Sequence, residues 1–208
     1  LGLPTETDED VAAIAELVNK IVYCWRQNAT NKKRRLSINL ATAFFVPKPF
    51  TPFQWEKQTS PEEYLRRVHL LQSCLTARGV DYRYHESDLS RLEAVLARGD
   101  RRLSKVLLRA HALGCKLDGW DEHFKFDKWK EAFEECGLDM AFYANRRRSE
   151  DEILPWSMIS SGVTEQYLLR ERHKAYESVT TPDCRTHCNG CGARRLSERG
   201  LCDESPAV

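Results

Sequence analysis

At 208 residues the chain is long enough for one medium domain with a real hydrophobic core. Its 32 Lys and Arg nearly balance 31 Asp and Glu, so bulk charge gives no reason to expect nucleic acid as a partner. No apolar run approaches the roughly 20 residues that cross a bilayer, and no basic-then-apolar signal segment is visible; a cytoplasmic protein is expected.

The first residue is Leu1 rather than Met, and LGLP has the look of a strand exit, so the expectation is a fragment of a longer polypeptide. Thr7 and Asp10 form a capping-box pattern ahead of Val11, Ile14, Leu17, Val18, Ile21 and Val22, which recur at helical spacing. A basic stretch closes that helix, and the apolar, β-branched run 36–46 then predicts a buried parallel strand. The Pro-rich, aromatic stretch 47–55 cannot continue a helix or a central strand and is expected as a loop. Ser60-Pro61-Glu62-Glu63 is a strong helix start, with the helix running to about Arg78 and stopping at Gly79. Residues 80–86 alternate and predict another strand. Strand end, helix, strand, helix, strand reads as α/β with parallel pairing. From Ser87 the pattern is helical, at about 88–98, 101–113, 127–136 and 164–177, and a Cys-bearing tail follows.

Eight cysteines divide unevenly. Cys24, Cys74, Cys115 and Cys136 are scattered, which reads as buried free thiols in a reducing compartment. Cys184, Cys188, Cys191 and Cys202 crowd into the tail, which favours metal over disulfides. The C-x₃-C-x₂-C spacing suits a [4Fe–4S] cluster held by three thiolates, with Cys202 as a candidate fourth ligand. Structural zinc in tetrahedral Cys₄ geometry satisfies the same residues, and the choice between the two stays open. His187 is a spare candidate, and a tail of free thiols is the plain alternative.

Segment 117–129 gathers Asp118, Asp121, Glu122 and His123 among aromatics. One reading is a polar substrate or metal site with aromatic walls, but the simpler expectation is a turn whose acids cap the next helix while Trp120, Phe124, Phe126 and Trp129 enter the core. The basic runs at 31–35 and 145–149 could touch phosphate, and solvated faces are the simpler expectation. Ser160 and Ser161 have no visible His–Asp support, so a hydrolase is not expected.

LGLPTETDED followed by a helix and then FFVPKPFTPFQW resembles the last third of a radical S-adenosylmethionine barrel. With LEAVLARGDRRL, DGWDEHF, LPWSMISSGV and TPDC…C…C downstream, the chain closely resembles the C-terminal part of B12-binding-domain-containing radical SAM proteins. That resemblance implies residues 1–86 as the end of a partial (β/α) barrel, 87–178 as a mostly helical appendage and 179–208 as a Cys-rich metal-binding tail. It implies Gly2, Pro4 and Glu6 at the edge of the S-adenosylmethionine pocket, with Phe45, Val46 and Pro47 near the adenine. It further implies a missing N-terminal half carrying the catalytic cluster and possible cobalamin binding, an unknown substrate, and no activity for this piece alone. Two other functions fit the same residues: a non-catalytic zinc-binding interaction module that docks a partner or RNA, and a tRNA-modifying, methylthiotransferase-like enzyme.

Overall fold

A computed structural model of the chain describes residues 1–31, 35–185 and 187–193. Helix α1 (Asp8–Asn28) starts as its code dictates. Thr7 Oγ1 accepts from the Asp10 amide, and Asp10 returns the bond to the Thr7 amide at 2.8 Å. Val11, Ala15, Val18 and Val22 form its buried stripe. Strand β1 (Ile38–Thr42) follows, then α2 (Pro61–Cys74), with Ser60 capping the Glu63 amide and Pro61 in the first turn. Strand β2 (Val80–Tyr84) lies parallel to β1 in the register Ile38↔Val80 to Thr42↔Tyr84.

The expected end of a partial barrel is not found. Among the described residues the only sheet is this open, two-stranded one, and the protein is mostly helical. Both strands alternate half-buried and exposed residues, whereas a parallel sheet covered on both faces would bury nearly every one. The apolar run beyond Thr42 leaves the ladder. Phe44 stacks on Tyr64, with ring centroids 4.1 Å apart, and Val46 enters the helical core. Leu1 makes one parallel rung beyond β1: its ammonium donates to the Ala43 carbonyl at 2.6 Å, and its carbonyl accepts from the Phe45 amide at 2.8 Å.

Helices α3 (Ser87–Ala97), α4 (Leu103–Ala112), α5 (Phe126–Glu135) and the short α6 (Met140–Ala144) close around Leu92, Val95, Val106, Trp129, Phe133 and Tyr143. Helix α7 (Glu165–Tyr176) packs Leu168 beside Trp55, Leu154 and Trp156 in a separate cluster. Several finer expectations change. Helix α2 ends at Cys74, short of Arg78, and Leu75 is already extended. Of the scattered thiols only Cys115 is buried; Cys24 is exposed, and Cys74 and Cys136 are partly covered. None of the acids in 117–125 caps α5; Asp118 accepts from the Trp129 indole instead, and Trp120 is 63% exposed. No helix among the described residues is long and apolar enough to cross a membrane.

Candidate functional site

The loop after β1 is the centre of a buried polar lattice. Gln54, Glu56 and Gln58 are all at least nine-tenths buried, as are Arg98, Arg148 and Arg172. Burying such groups costs free energy unless they find partners, and most of their polar atoms do, Gln58 Oε1, Arg98 Nε and Arg148 Nε being exceptions among the described residues. Arg172 supplies Nε and Nη2 to one Glu56 oxygen, at 2.7 and 2.6 Å, and also holds Glu150. Burial pulls the Arg172 pKa down, but the hydrogen bonds to Glu56 and its charge more than offset this, leaving it raised. Arg98 donates to the carbonyls of Glu56, Ala144 and Arg146, and its own carbonyl accepts from Arg148. Desolvation, with Arg148 and Arg146 close by, lowers Arg98 to about 10, so it remains a cation at neutral pH. The Gln58 side-chain amide donates to the Phe45 and Ser90 carbonyls, and Gln54 accepts the Trp156 indole N–H at 2.8 Å. These contacts fix the loop against α3, α6 and α7.

One face of the lattice opens into a cleft of about 420 Å³. Gly2, Leu3 and Pro4 form one wall; Glu56, Lys57, Thr59, Arg67, Arg147 and Tyr176 form the rest. The cleft lies where Leu1 pairs beyond the carboxyl end of β1, which is where parallel α/β units present ligands. Gly2 has φ +97°, and an added Cβ would lie 3.0 Å from Thr59 Cγ2, so the wall there is bare backbone. Glu6 faces inward. One of its oxygens accepts from the Gly2 amide at 2.7 Å and from Arg67 at 2.6 Å, so it positions the wall and the guanidinium. Arg67 is anchored a second time by Glu63 at 2.9 Å. Arg147 is 60% exposed and touches only the rim of Glu56, at 3.6 Å. Burial and a hydrogen bond to Glu56 raise the Tyr176 phenol. With Arg67 already paired with Glu6 and Glu63, and Glu56 with Arg172, the cleft offers Arg147 and Lys57 at its exposed rim. A carboxylate-bearing ligand suits it.

Of the residues anticipated for a cofactor, Gly2 and Pro4 line this cleft and Glu6 braces it from behind. Phe45 packs edge-on to Phe53 at 5.9 Å, Val46 is in the helical core and Pro47 is fully buried; none of the three lines the cleft. Sequence reasoning singles out neither Glu56, Arg67 nor Tyr176, and has Arg147 only within the basic run 145–149. The available signal was the alternation of polar residues through QWEKQ in an otherwise apolar loop.

The tail folds back onto the start of α7. The Thr164 amide donates to the Cys191 carbonyl at 2.8 Å, Arg170 reaches the Asn189 carbonyl, and Gly192 packs so closely that a Cβ would lie 2.7 Å from Thr164 Cγ2. Cys184 and Cys188 are exposed and Cys191 is partly covered; all three are free thiols. Among the described residues no three His, Cys, Asp or Glu side chains form a metal-binding group. Cys202 lies outside the described residues.

No protein-family model matches the chain, and no solved structure does. It is similar to an uncharacterised protein of Methanocaldococcus jannaschii, with 25% identity over 138 residues. That match covers 66% of this chain and spans 28% of the relative's length.

Proposed function

We propose that the chain is the C-terminal part of a radical S-adenosylmethionine iron–sulfur enzyme and builds the amino-acid end of the S-adenosylmethionine site from its Gly2–Pro4 cleft. The observation that carries this reading is the convergence of Gly2, Pro4, Arg67 and Arg147 on one cleft at the carboxyl edge of parallel strands. The donor set suits the ligand. Arg147 and Lys57 would hold its α-carboxylate beside an Arg67 fixed by Glu6 and Glu63, and the bare Gly2 backbone would let an extended chain lie against the wall. Glu6 keeps Arg67 aimed, and Glu56, neutralised by Arg172, keeps Arg147 near the rim. S-adenosylmethionine would supply a sulfonium for reductive cleavage, the electron coming from a cluster assigned to polypeptide outside these residues. Cobalamin and the final substrate would belong to that same part. The tail cysteines are a second, separate metal site in this reading. Because they are not assembled here, no chemical step is routed through them.

Calorimetric titration of S-adenosylmethionine under anaerobic conditions, on this chain and on the longer polypeptide, tests the reading. Arg147→Ala removes one charge-assisted bond and should weaken binding by about tenfold, while urea unfolding stays unchanged. Binding that is indifferent to both Arg147→Ala and Gly2→Val would overturn the assignment of this cleft.

A further inference from the structure

At the other end of α1 the structure assembles a second, differently charged cleft of about 560 Å³, walled by Val22, Trp25, Arg26, Arg35, Leu36 and Arg78. The three arginines come from three separate segments: the last turn of α1, the approach to β1 and the turn before β2. Gly79 brings them together. It has φ +87°, its carbonyl accepts from the Ile38 amide at 2.9 Å, and an added Cβ would lie 2.7 Å from the Leu36 carbonyl. The turn bearing Arg78 can therefore press against the segment bearing Arg35 only because residue 79 has no side chain.

The arginines are exposed, and among the described residues no carboxylate pairs with any of them. Elsewhere arginines such as Arg66, Arg67, Arg102, Arg109 and Arg172 are held by Asp or Glu. Helix-dipole complementarity accounts for Arg26 but not for Arg35 or Arg78, which precede strands. Trp25 stands half-buried among them, an aromatic face beside unpaired guanidinium groups. By sequence, Lys32, Lys33 and Arg34 lie between Arg26 and Arg35; they are outside the described residues.

We infer that this cleft is a docking site for single-stranded RNA, with phosphates on Arg26, Arg35 and Arg78 and a base stacked on Trp25. The chemistry is that of sequence-tolerant strand binding, a basic groove with an aromatic platform. The balanced overall charge conceals it, because the opposite charges are spent in ion pairs elsewhere. Helix α1, at 21 residues, puts about 30 Å between this cleft and the Gly2–Pro4 cleft, so the site would hold a strand and take no part in reaction. The inference is independent of the function proposed above.

The test is fluorescence anisotropy of the whole chain with a labelled 12-nucleotide RNA between 50 and 200 mM KCl. Binding should weaken with salt on a log–log slope at least as steep as about −2, from three phosphate contacts. Arg35→Ala/Arg78→Ala should lose at least tenfold at 100 mM KCl and flatten the slope by about 1.4, while Arg35→Lys/Arg78→Lys keeps the slope. Trp25→Leu should cost about tenfold at every salt concentration and leave the slope unchanged. Circular dichroism and urea midpoints matching the parent show that each variant folds. Three results would overturn the inference: no RNA binding at 50 mM KCl, binding untouched by the alanine pair, or equal affinity for uridine monophosphate. Binding to phosphatidylserine vesicles without RNA binding would also overturn it, and would make the cleft a membrane-contact patch.

Discussion

Replacing Arg172 with Met should be among the most damaging single substitutions in this protein. The side chain volume is nearly kept, so the cost is electrostatic. Glu56 is 4% exposed and would lose both of its short bonds from Arg172, keeping the Tyr176 phenol and Arg147 at 3.6 Å. Breaking a buried pair by removing one partner costs about 3–5 kcal/mol, because the remaining charge is stranded away from water. With a urea slope of about 2–3 kcal/mol per molar, the unfolding midpoint should fall by roughly 1–2 M. Glu56→Gln/Arg172→Met should recover a good part of this, since an amide tolerates burial better than a lone carboxylate. Urea unfolding followed by tryptophan fluorescence, run as a full double-mutant cycle, reads both numbers. If Arg172→Met costs under 1 kcal/mol, or the double variant is additive, the lattice does not hold the molecule together in the way described.

Gly79→Ala should destabilise by about 1–3 kcal/mol, through left-handed strain and the clash with the Leu36 carbonyl, whereas Gly119→Ala, with nothing within 4 Å, should be neutral or slightly stabilising; thermal melts compare them. Gly192→Ala should lift the tail from Thr164, and alkylation of Cys191 by iodoacetamide, followed by mass spectrometry, should speed up severalfold while Cys184 is unaffected. Glu63, held by Arg66 and Arg67, is lowered from 4.5 to about 2. Its contribution is therefore fully present above about pH 5 and lost as pH falls towards 2, so the stability gap between parent and Glu63→Gln should shrink across that window. A gap that is constant with pH would contradict the assignment. Metal analysis and a visible spectrum on anaerobically purified protein, beside Cys184→Ala/Cys188→Ala/Cys191→Ala, should show iron or zinc lost with the thiols; no metal in either would remove the tail site.

Local code was legible in the sequence; distant pairing was not. The starts of α1 and α2 are written in four adjacent residues each, because a cap needs only its own turn. The end of β1 was misjudged because an apolar run looks the same whether it pairs in a ladder or, like Phe44 and Val46, leaves it for a helical core. Reading the barrel into 1–86 extended that error, since resemblance supplied strands where the described residues form two. In the cleft, Gly2 and Pro4 are readable from the sequence and Arg147 only as one of a basic run, but nothing marks Arg67. Glu56 and Arg172 are 116 residues apart, and nothing in either neighbourhood announces the other. The basic cleft is hidden differently: the run 31–35 is visible in the sequence, but Arg78 meets Arg35 and Arg26 only through the fold.

Helix α7 is fastened at two points. Its first turn carries the Cys191 loop through Thr164, and two turns later Arg172 holds Glu56 in the wall of the Gly2–Pro4 cleft. The thiols and the cleft therefore share a lever. A change at the loop is therefore passed to a helix that Leu168 also seats in the Trp55, Leu154 and Trp156 cluster and whose Arg172 also holds Glu150. Where a metal bound by the tail and a ligand bound in the cleft are coupled through this helix, each changes the other's affinity by the same factor. Metal affinity of the tail, read with and without a ligand in the cleft, measures that coupling.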